Sequence, residues 1–275
     1  MRPVIAEFIG PAASGKSVTL QATAQLLAQA RLKVAMGPVA RPVRPLKAMA
    51  RPDLALTAWR LGRHMERLGT LHDFGYWINR LHQVDRLYRR GADIILSDEG
   101  TFQALRRFAP QLPVSLFRAV PRPDIVVHVS APSELIYRRR MKRLHDNPDI
   151  DNGISGRHRW QKSVRRAATV LRAGEGEAGM AFLRDWGQRL APPLSEAEME
   201  AALTEARAIL ATDSYDEDIA AFRRLVEGRG CRWMEVVSAQ LRDEADAAQA
   251  VAELCRQHLD MRRAAGKSGD IRSHD

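Results

Sequence analysis

An apolar stretch at residues 4–9 runs straight into Gly10-Pro11-Ala12-Ala13-Ser14-Gly15-Lys16-Ser17, and a helical pattern begins directly behind it. These eight residues satisfy G-x-x-x-x-G-K-S/T in the strand-to-helix setting that gives the pattern its meaning. A strand must deliver the chain to a tight turn whose backbone N–H groups converge on an anion, and the next helix must aim its positive end at the same point. Gly10 and Gly15 provide backbone angles and a close approach that a Cβ would block. With Ala12, Ala13, Ser14, Lys16, Ser17 and Val18 they form the expected cradle for a nucleotide polyphosphate. Lys16 acts there as a point charge on the β- and γ-phosphates, and Ser17 offers a hydroxyl to Mg²⁺. The plain alternative is a strand-turn-helix corner that holds these letters by chance, and the flanking strand and helix argue against it. Gly266-Lys267-Ser268 repeats the last three letters with no strand before it and no first glycine, so 263–275 reads as a disordered tail.

The remaining elements follow in order. Residues 16–31 carry Leu20, Ala24, Leu27 and Ala30 on one helical face. A short strand spans 33–39, and Pro38, Pro42, Pro45 and Pro52 then interrupt the chain before helical patterns at 54–65 and 74–89. The compact apolar run Ile94-Ile95-Leu96 closes on Ser97-Asp98-Glu99-Gly100, a strand that ends in two carboxylates and a glycine. Residues 123–130 give a fourth strand, followed by a densely basic helix, and 231–237 give the last strand, between helices at 216–226 and 240–262. Short apolar strands alternating with helices predict an α/β fold: a parallel sheet with right-handed crossovers, covered by helices on both faces. Ligands in such a sheet gather at the carboxyl ends of the strands, where the glycine turn and Asp98 both fall. Residues 174–212 read as a helical insertion, with Ala191-Pro192-Pro193 as a stop and Ser195-Glu196-Ala197-Glu198 as a capping box. The expected organisation is a single domain over 1–262, with a helical acceptor region at 42–90 and a lid at 138–172.

At 275 residues and 45% apolar content the chain can bury one large core. Its 43 Lys and Arg against 33 Asp and Glu leave a formal charge of +10, which favours anionic partners. Cys231 and Cys255 lack any C-x-x-C or His-rich spacing, which argues against structural zinc or a disulfide framework and for a reducing, cytoplasmic setting. No apolar run approaches the roughly 20 residues of a membrane span, and 1–9 does not read as a leader. Association of two copies is compatible with all of this.

Phosphoryl transfer relies on positioning and charge neutralisation, so a metal-linked carboxylate is expected at a strand end beside a phosphate cradle. Asp98 is the candidate, sharing Mg²⁺ with Ser17; its alternative is a turn carboxylate capping a helix that starts near Thr101. Glu99 is the candidate general base for an acceptor hydroxyl, with the same capping alternative. In the basic helix Arg139 and Arg143 lie one turn apart, at a place where a mobile cover could close on the transferred group. A second basic series, Arg157, Arg159, Lys162, Arg165 and Arg166, reads either as a solvated face or as a nucleic-acid patch, although Trp160 is the only aromatic interleaved with it. Arg63, His64, Asp73, Tyr76, Trp77, Arg80 and Asp85 mix rings with charges and form either core or an acceptor pocket.

The glycine turn, Asp98, and the segment from Pro132 through Glu134, Arg139 and Arg143 together resemble the thymidylate kinase and deoxynucleoside kinase group of P-loop kinases. That group's lid helix carries P-E-x-x-x-x-R-x-x-x-R, which this chain matches with one extra residue between Pro132 and Glu134, and residues 229–237 resemble its last strand. The resemblance implies a three-layer P-loop NTPase fold with a five-stranded parallel sheet in the order 2-3-1-4-5. It also implies ATP with Mg²⁺ as donor and a small-molecule acceptor, and it leaves out 174–212. The family places Asp-Arg or Glu-Arg after strand three, where this chain has Asp98-Glu99-Gly100. The second acid disfavours an acceptor phosphate and suits a neutral hydroxyl, unless Arg106 or Arg80 offsets it. Two other readings stand beside the small-molecule kinase. One is a P-loop ATPase or nucleotide-gated binding protein acting on nucleic acid or a protein partner, and the other is a family member that binds without transfer. An intact Lys16 and Ser17 count against the last.

Overall fold

The computed structural model describes residues 2–37, 59–60, 63, 87, 91–98, 100, 122–147, 156–174, 176–211, 215–238 and 241–270. Among them five parallel strands form one sheet: β1 (Val4–Ile9), β2 (Val34–Gly37), β3 (Ile94–Asp98), β4 (Ile125–Ser130) and β5 (Arg232–Val237). The spatial order is β2-β3-β1-β4-β5, the order that the kinase resemblance implies. β1 sits at the centre and is buried along its whole length. It pairs Phe8 with Asp98 of β3 and Ile9 with His128 of β4, so its carboxyl end lies beside theirs. Strands covered on both faces need side chains that are apolar in both directions, which is why β1, β3 and β4 read as largely apolar runs, with Glu7 and His128 as polar residues inside β1 and β4.

Successive side chains divide between two cores. Val4, Ala6 and Phe8, with Ile94, Leu96, Ile125 and Val127, pack against Leu20, Ala24 and Leu27 of α1 (Lys16–Gln29) and against Val251, Cys255 and Leu259 of the last helix. Ile5, Ala35 and Ile95 face the other way and pack with Leu87. On that second face Phe222, in the helix Tyr215–Glu227, meets Trp233 of β5 edge-on at 6.4 Å. Helices thus cover both faces, and the sheet is the middle of three layers. Burial of each large apolar side chain contributes about 1.5–3 kcal/mol.

The chain divides into two compact units. The first holds the sheet, residues 1–10, 15–130 and 216–275; the second holds residues 11–14 and 131–215. Among the described residues four helices build the second unit: α2 (Ser133–Asp146), α3 (Gly156–Ala173), α4 (Gly176–Arg189) and α5 (Glu196–Ala211). Its core gathers Met141 and Leu144 of α2, Val164 and Val170 of α3, Leu183 and Trp186 of α4, and Leu203 of α5. The segments expected as lid and insertion therefore share one apolar core.

The capping box is present at the start of α5. The Ser195 N–H donates to the Glu198 carboxylate at 2.8 Å, and the Glu198 N–H donates to Ser195 Oγ at 3.2 Å. The backbone and hydroxyl of Ser195 hold the Glu198 carboxyl below the usual carboxylate range. A group whose folded pKa is depressed stabilises the fold above its unfolded pKa and loses that effect as pH falls through the folded one. Ser195→Ala is expected to lower Tm by about 2–4 °C near neutral pH. The difference from wild type should shrink in acid, and a thermal melt repeated across pH 3–7 checks both.

Two helix ends differ from the sequence expectation. α1 stops at Gln29, leaving Ala30 exposed as its C-cap, because Arg31 takes a left-handed φ of 60°. The last helix continues past Arg262 as α7 (Leu241–Asp270), α6 being the helix Tyr215–Glu227. Arg262 bonds the buried Asp124 carboxylate and the Arg2 carbonyl, and Arg263 lies 3.6 Å from Asp93. The helix runs on through Gly266-Lys267-Ser268. Cys231 and Cys255 are free and buried, and burial pushes their thiols up to about 11 and about 12. No described helix is long and apolar enough to cross a membrane.

Candidate functional site

β1 delivers the chain to the glycine turn, and three residues there hold positive φ: Gly10 at 138°, Ala13 at 72° and Gly15 at 103°. A left-handed alanine is strained by roughly 1–2 kcal/mol, so the turn is held by its surroundings. Gly15 precedes α1 with no side-chain cap, and no acidic residue follows in the first turn. Its carbonyl accepts the Val18 and Thr19 N–H groups at 3.0 Å each. The uncapped positive end of α1 is the setting in which backbone N–H groups receive an anion. A side chain at Gly15 would be strained by the φ of 103° and crowded, since a Cβ would lie 2.6 Å from Glu244 Oε1 and 2.9 Å from Ser238 Oγ. Those two side chains are themselves joined by a 2.6 Å hydrogen bond from Ser238 to Glu244.

Lys16 opens α1 and is 6% exposed, with Nζ donating to the Gly10 carbonyl at 2.9 Å. The ammonium is thereby folded back across the turn. Ser17 donates its hydroxyl to Asp98 Oδ2 at 2.9 Å, joining the start of α1 to the end of β3. The second carboxylate oxygen, Asp98 Oδ1, is buried and has no hydrogen-bond partner among the described residues. Ser14 is buried, and its Oγ likewise lacks a partner among them. Val18 is half exposed in the first turn.

A hydroxyl and an orphaned carboxylate oxygen side by side are hard oxygen donors, and they fit Mg²⁺. That ion binds proteins through one or two carboxylates and leaves its other positions to phosphates and water. Among the described residues no cluster of three His, Cys, Asp or Glu side chains forms an all-protein metal cage, and this chemistry does not require one.

In the second unit α2 carries its basic run toward the turn residues that belong to the same unit. Arg139 Nη1 reaches the Ala13 carbonyl at 3.4 Å, and Arg140 Nε donates to the Ala12 carbonyl at 3.1 Å. Arg143, paired with Arg139 on sequence spacing, is exposed on the helix surface. Glu134 forms an ion pair with Arg138 one turn along. In the second basic series Arg159 donates to the Pro192 carbonyl, while Trp160 bonds Glu205 at 2.8 Å, so the single aromatic of that stretch is engaged within its own unit.

Glu99, Arg80 and Arg106 lie outside the described residues, as does most of the candidate acceptor region at 42–90. Of the mixed aromatic and charged set only Arg63 is described, with its guanidinium 5.9 Å from the Trp59 ring centroid. Sequence reasoning missed Glu7, a buried carboxylate and the one charge within β1. A Cβ at Gly100 would fall 2.5 Å from Glu7 Oε2, so Glu7 is what makes position 100 a glycine. The charge inside residues 4–9 was the available signal for it. Ser238, Glu244 and Arg140 carried none that separated them from their neighbours.

A five-stranded parallel sheet in the order 2-3-1-4-5, with this turn after its central strand, defines a P-loop NTPase α/β fold. No protein-family model and no curated protein matches the sequence. Among the solved structures that resemble it, two at low likeness are the following. TT1252 from Thermus thermophilus is 15% identical, with a TM-score of 0.37, over 92% of this chain and 98% of that one. A thymidylate kinase from Ehrlichia chaffeensis is 14% identical, with a TM-score of 0.30, over 54% of this chain and 88% of that one. Strand order and the glycine turn define the fold, not these two likenesses.

Proposed function

We propose that this protein is an ATP-dependent small-molecule kinase that moves the γ-phosphoryl group to a nucleoside, a nucleotide or another hydroxyl acceptor. The observation that carries this reading is the Ser17 to Asp98 hydrogen bond of 2.9 Å, with the other oxygen of Asp98 buried and unbonded among the described residues. Sequence separates the two residues widely, and the fold places them together at the carboxyl end of the sheet. Ser17 and Asp98 would hold Mg²⁺, which would supply positive charge to offset that of the ATP phosphates.

In this mechanism the turn N–H groups at residues 12–18 bind the polyphosphate, and Lys16 leaves the Gly10 carbonyl to reach the β- and γ-phosphates. The acceptor hydroxyl attacks phosphorus in line, the bond from phosphorus to the bridging oxygen breaks, and ADP departs with the electron pair. Glu99 takes the hydroxyl proton. Arg139 and Arg143 contribute positive charge where negative charge spreads over the transferred group, which is where fixed donors have their largest effect.

The test is ADP release with Mg²⁺ across nucleosides, nucleoside monophosphates, sugars and aminoglycosides, with and without nucleic acid. Release that depends on one class of acceptor is the expected outcome. Release stimulated by nucleic acid alone would replace this reading with that of a nucleic-acid-dependent ATPase.

A further inference from the structure

The chain leaves β3 at Asp98, and two residues later Gly100 is buried. Along β3 the side chains of Ile94 and Leu96 join the core against α1, whereas Ile95 joins the other core. Alternation therefore sends Asp98 to the α1 face, where it meets Ser17. A strand that ran straight on would carry residue 100 to that same face. Gly100 instead lies against Glu7, which pairs in register with Ser97 and points, like Ile5, to the opposite face. The chain thus turns off the strand path directly after Asp98 and crosses to Glu7. The contact is close: a Cβ at position 100 would fall 2.5 Å from Glu7 Oε2, 2.6 Å from its Cδ and 3.0 Å from its Cγ. Three consecutive atoms of the glutamate therefore lie along the glycine. Glu7 is 2% exposed in the central strand, so it has no solvent to swing into. In a close-packed interior a change of one methyl group at such a contact is felt by its neighbours.

We propose that Glu7 is a positioning residue: packed against Gly100, it fixes where the chain leaves β3 and so holds the Asp98 carboxylate at Ser17 for Mg²⁺. This rests on the reading of Ser17 and Asp98 as the metal-holding pair and adds the residue that places one of them. Glu7 acts through the backbone of the turn and by its volume, not by touching nucleotide or metal. Position 100 is a glycine for want of space, and the carboxylate two residues before it is the group whose place depends on that fit. Misplacing a reacting group by about 1 Å costs on the order of 10²-fold in rate.

The experiment is a mutant cycle on the full chain, read as Tm, as ATP affinity with and without Mg²⁺, and as kcat for ADP release. Gly100→Ala is expected to lower kcat about 10²-fold and to flatten the Mg²⁺ dependence of ATP affinity, while metal-free affinity stays close to wild type. Glu7→Asp/Gly100→Ala removes one methylene and adds one methyl while keeping the charge. That near-conserved volume should recover at least about tenfold of the lost kcat and restore the Mg²⁺ dependence. Residues in one contact are not additive, so the double variant should exceed the product of the two single ones. Glu7→Gln, which keeps the size of the side chain, should lose far less than Gly100→Ala. Where Gly100→Ala alone does not fold, recovery of a folded, Mg²⁺-responsive protein in the double variant tests the same contact. Additive losses, or a Gly100→Ala protein that loses Tm but keeps kcat and Mg²⁺ dependence, would overturn the proposal, since the contact would then be packing alone. A Glu7→Gln defect as large as that of Gly100→Ala would overturn it too, because charge rather than volume would be acting. Wild-type protein that binds ATP in a Mg²⁺-dependent way yet releases ADP with no acceptor would end the kinase reading and leave the positioning role to be judged on affinity and Tm. Wild-type affinity that ignores Mg²⁺ would overturn both.

Discussion

Lys16→Ala is expected to reduce acceptor-dependent ADP release by at least about 10²–10³-fold, the loss that follows removal of a preorganised donor from a transferring group. The side chain is 6% exposed and its ammonium is held by the Gly10 carbonyl, inside the turn rather than in either core. Truncation removes a charge from the site of the phosphates and leaves the apolar contacts of α1 through Leu20, Ala24 and Leu27 in place. Thermal melting should therefore change little while activity collapses. The decisive comparison is kcat/KM against Tm on the same preparation. Retained turnover in a folded Lys16→Ala protein would sink the assignment of residues 10–17 as a phosphate cradle, however well the fold agrees.

Asp98→Asn is the second large effect, and it distinguishes metal chemistry from scaffolding. The amide oxygen of asparagine can still accept the Ser17 hydroxyl, so the link between α1 and β3 survives the exchange. What disappears is the negative charge on a carboxylate whose other oxygen is buried without a partner among the described residues. Turnover should fall by about 10²-fold or more, the scale for loss of a group that stabilises the transferring phosphoryl. Nucleotide affinity measured without Mg²⁺ should be nearly unchanged, and the Mg²⁺ dependence of ATP affinity should flatten. Equal losses in kcat and in metal-free affinity would make Asp98 a binding residue instead, because an interaction used only in the transition state leaves ground-state binding intact.

Much of the first unit was legible because its signals are local. The turn between β1 and α1 needs glycine at two positions of unusual backbone, a lysine and a hydroxyl, all within eight consecutive residues, so the sequence pattern and the geometry carry nearly the same information. The strands of a parallel sheet are apolar on both faces, so β1, β3 and β4 announce themselves as runs. The capping box at Ser195 and Glu198 is legible for the same reason, since both partners lie within one turn. Helix ends were harder to place. Gln29 ends α1 because Arg31 is left-handed, and α7 runs past Arg262 and Arg263, whose partners Asp124 and Asp93 lie far away in sequence.

Which side chains complete the site depended on contacts between residues far apart in sequence. α2 carries arginine or lysine at five of the six positions 138–143, so the helical period offers several equivalent pairs of cations and no way to choose among them. The axis of the helix against the turn decides that Arg139 and Arg140 reach Ala13 and Ala12, and that Arg143 does not. The seal on Gly15 comes from Ser238 and Glu244, more than two hundred positions along the chain, and the glycine at 100 answers to Glu7 on another strand. Sequence by itself determined the phosphate turn, the strand pattern and the charge of the lid, since each is written in neighbouring residues whose backbone and solvation preferences are local. Tertiary structure alone decided which carboxylate meets Ser17, which arginines meet the turn and which glycines face crowding side chains from distant parts of the chain. Those are matters of packing at distances of a few ångströms, and no local preference encodes them.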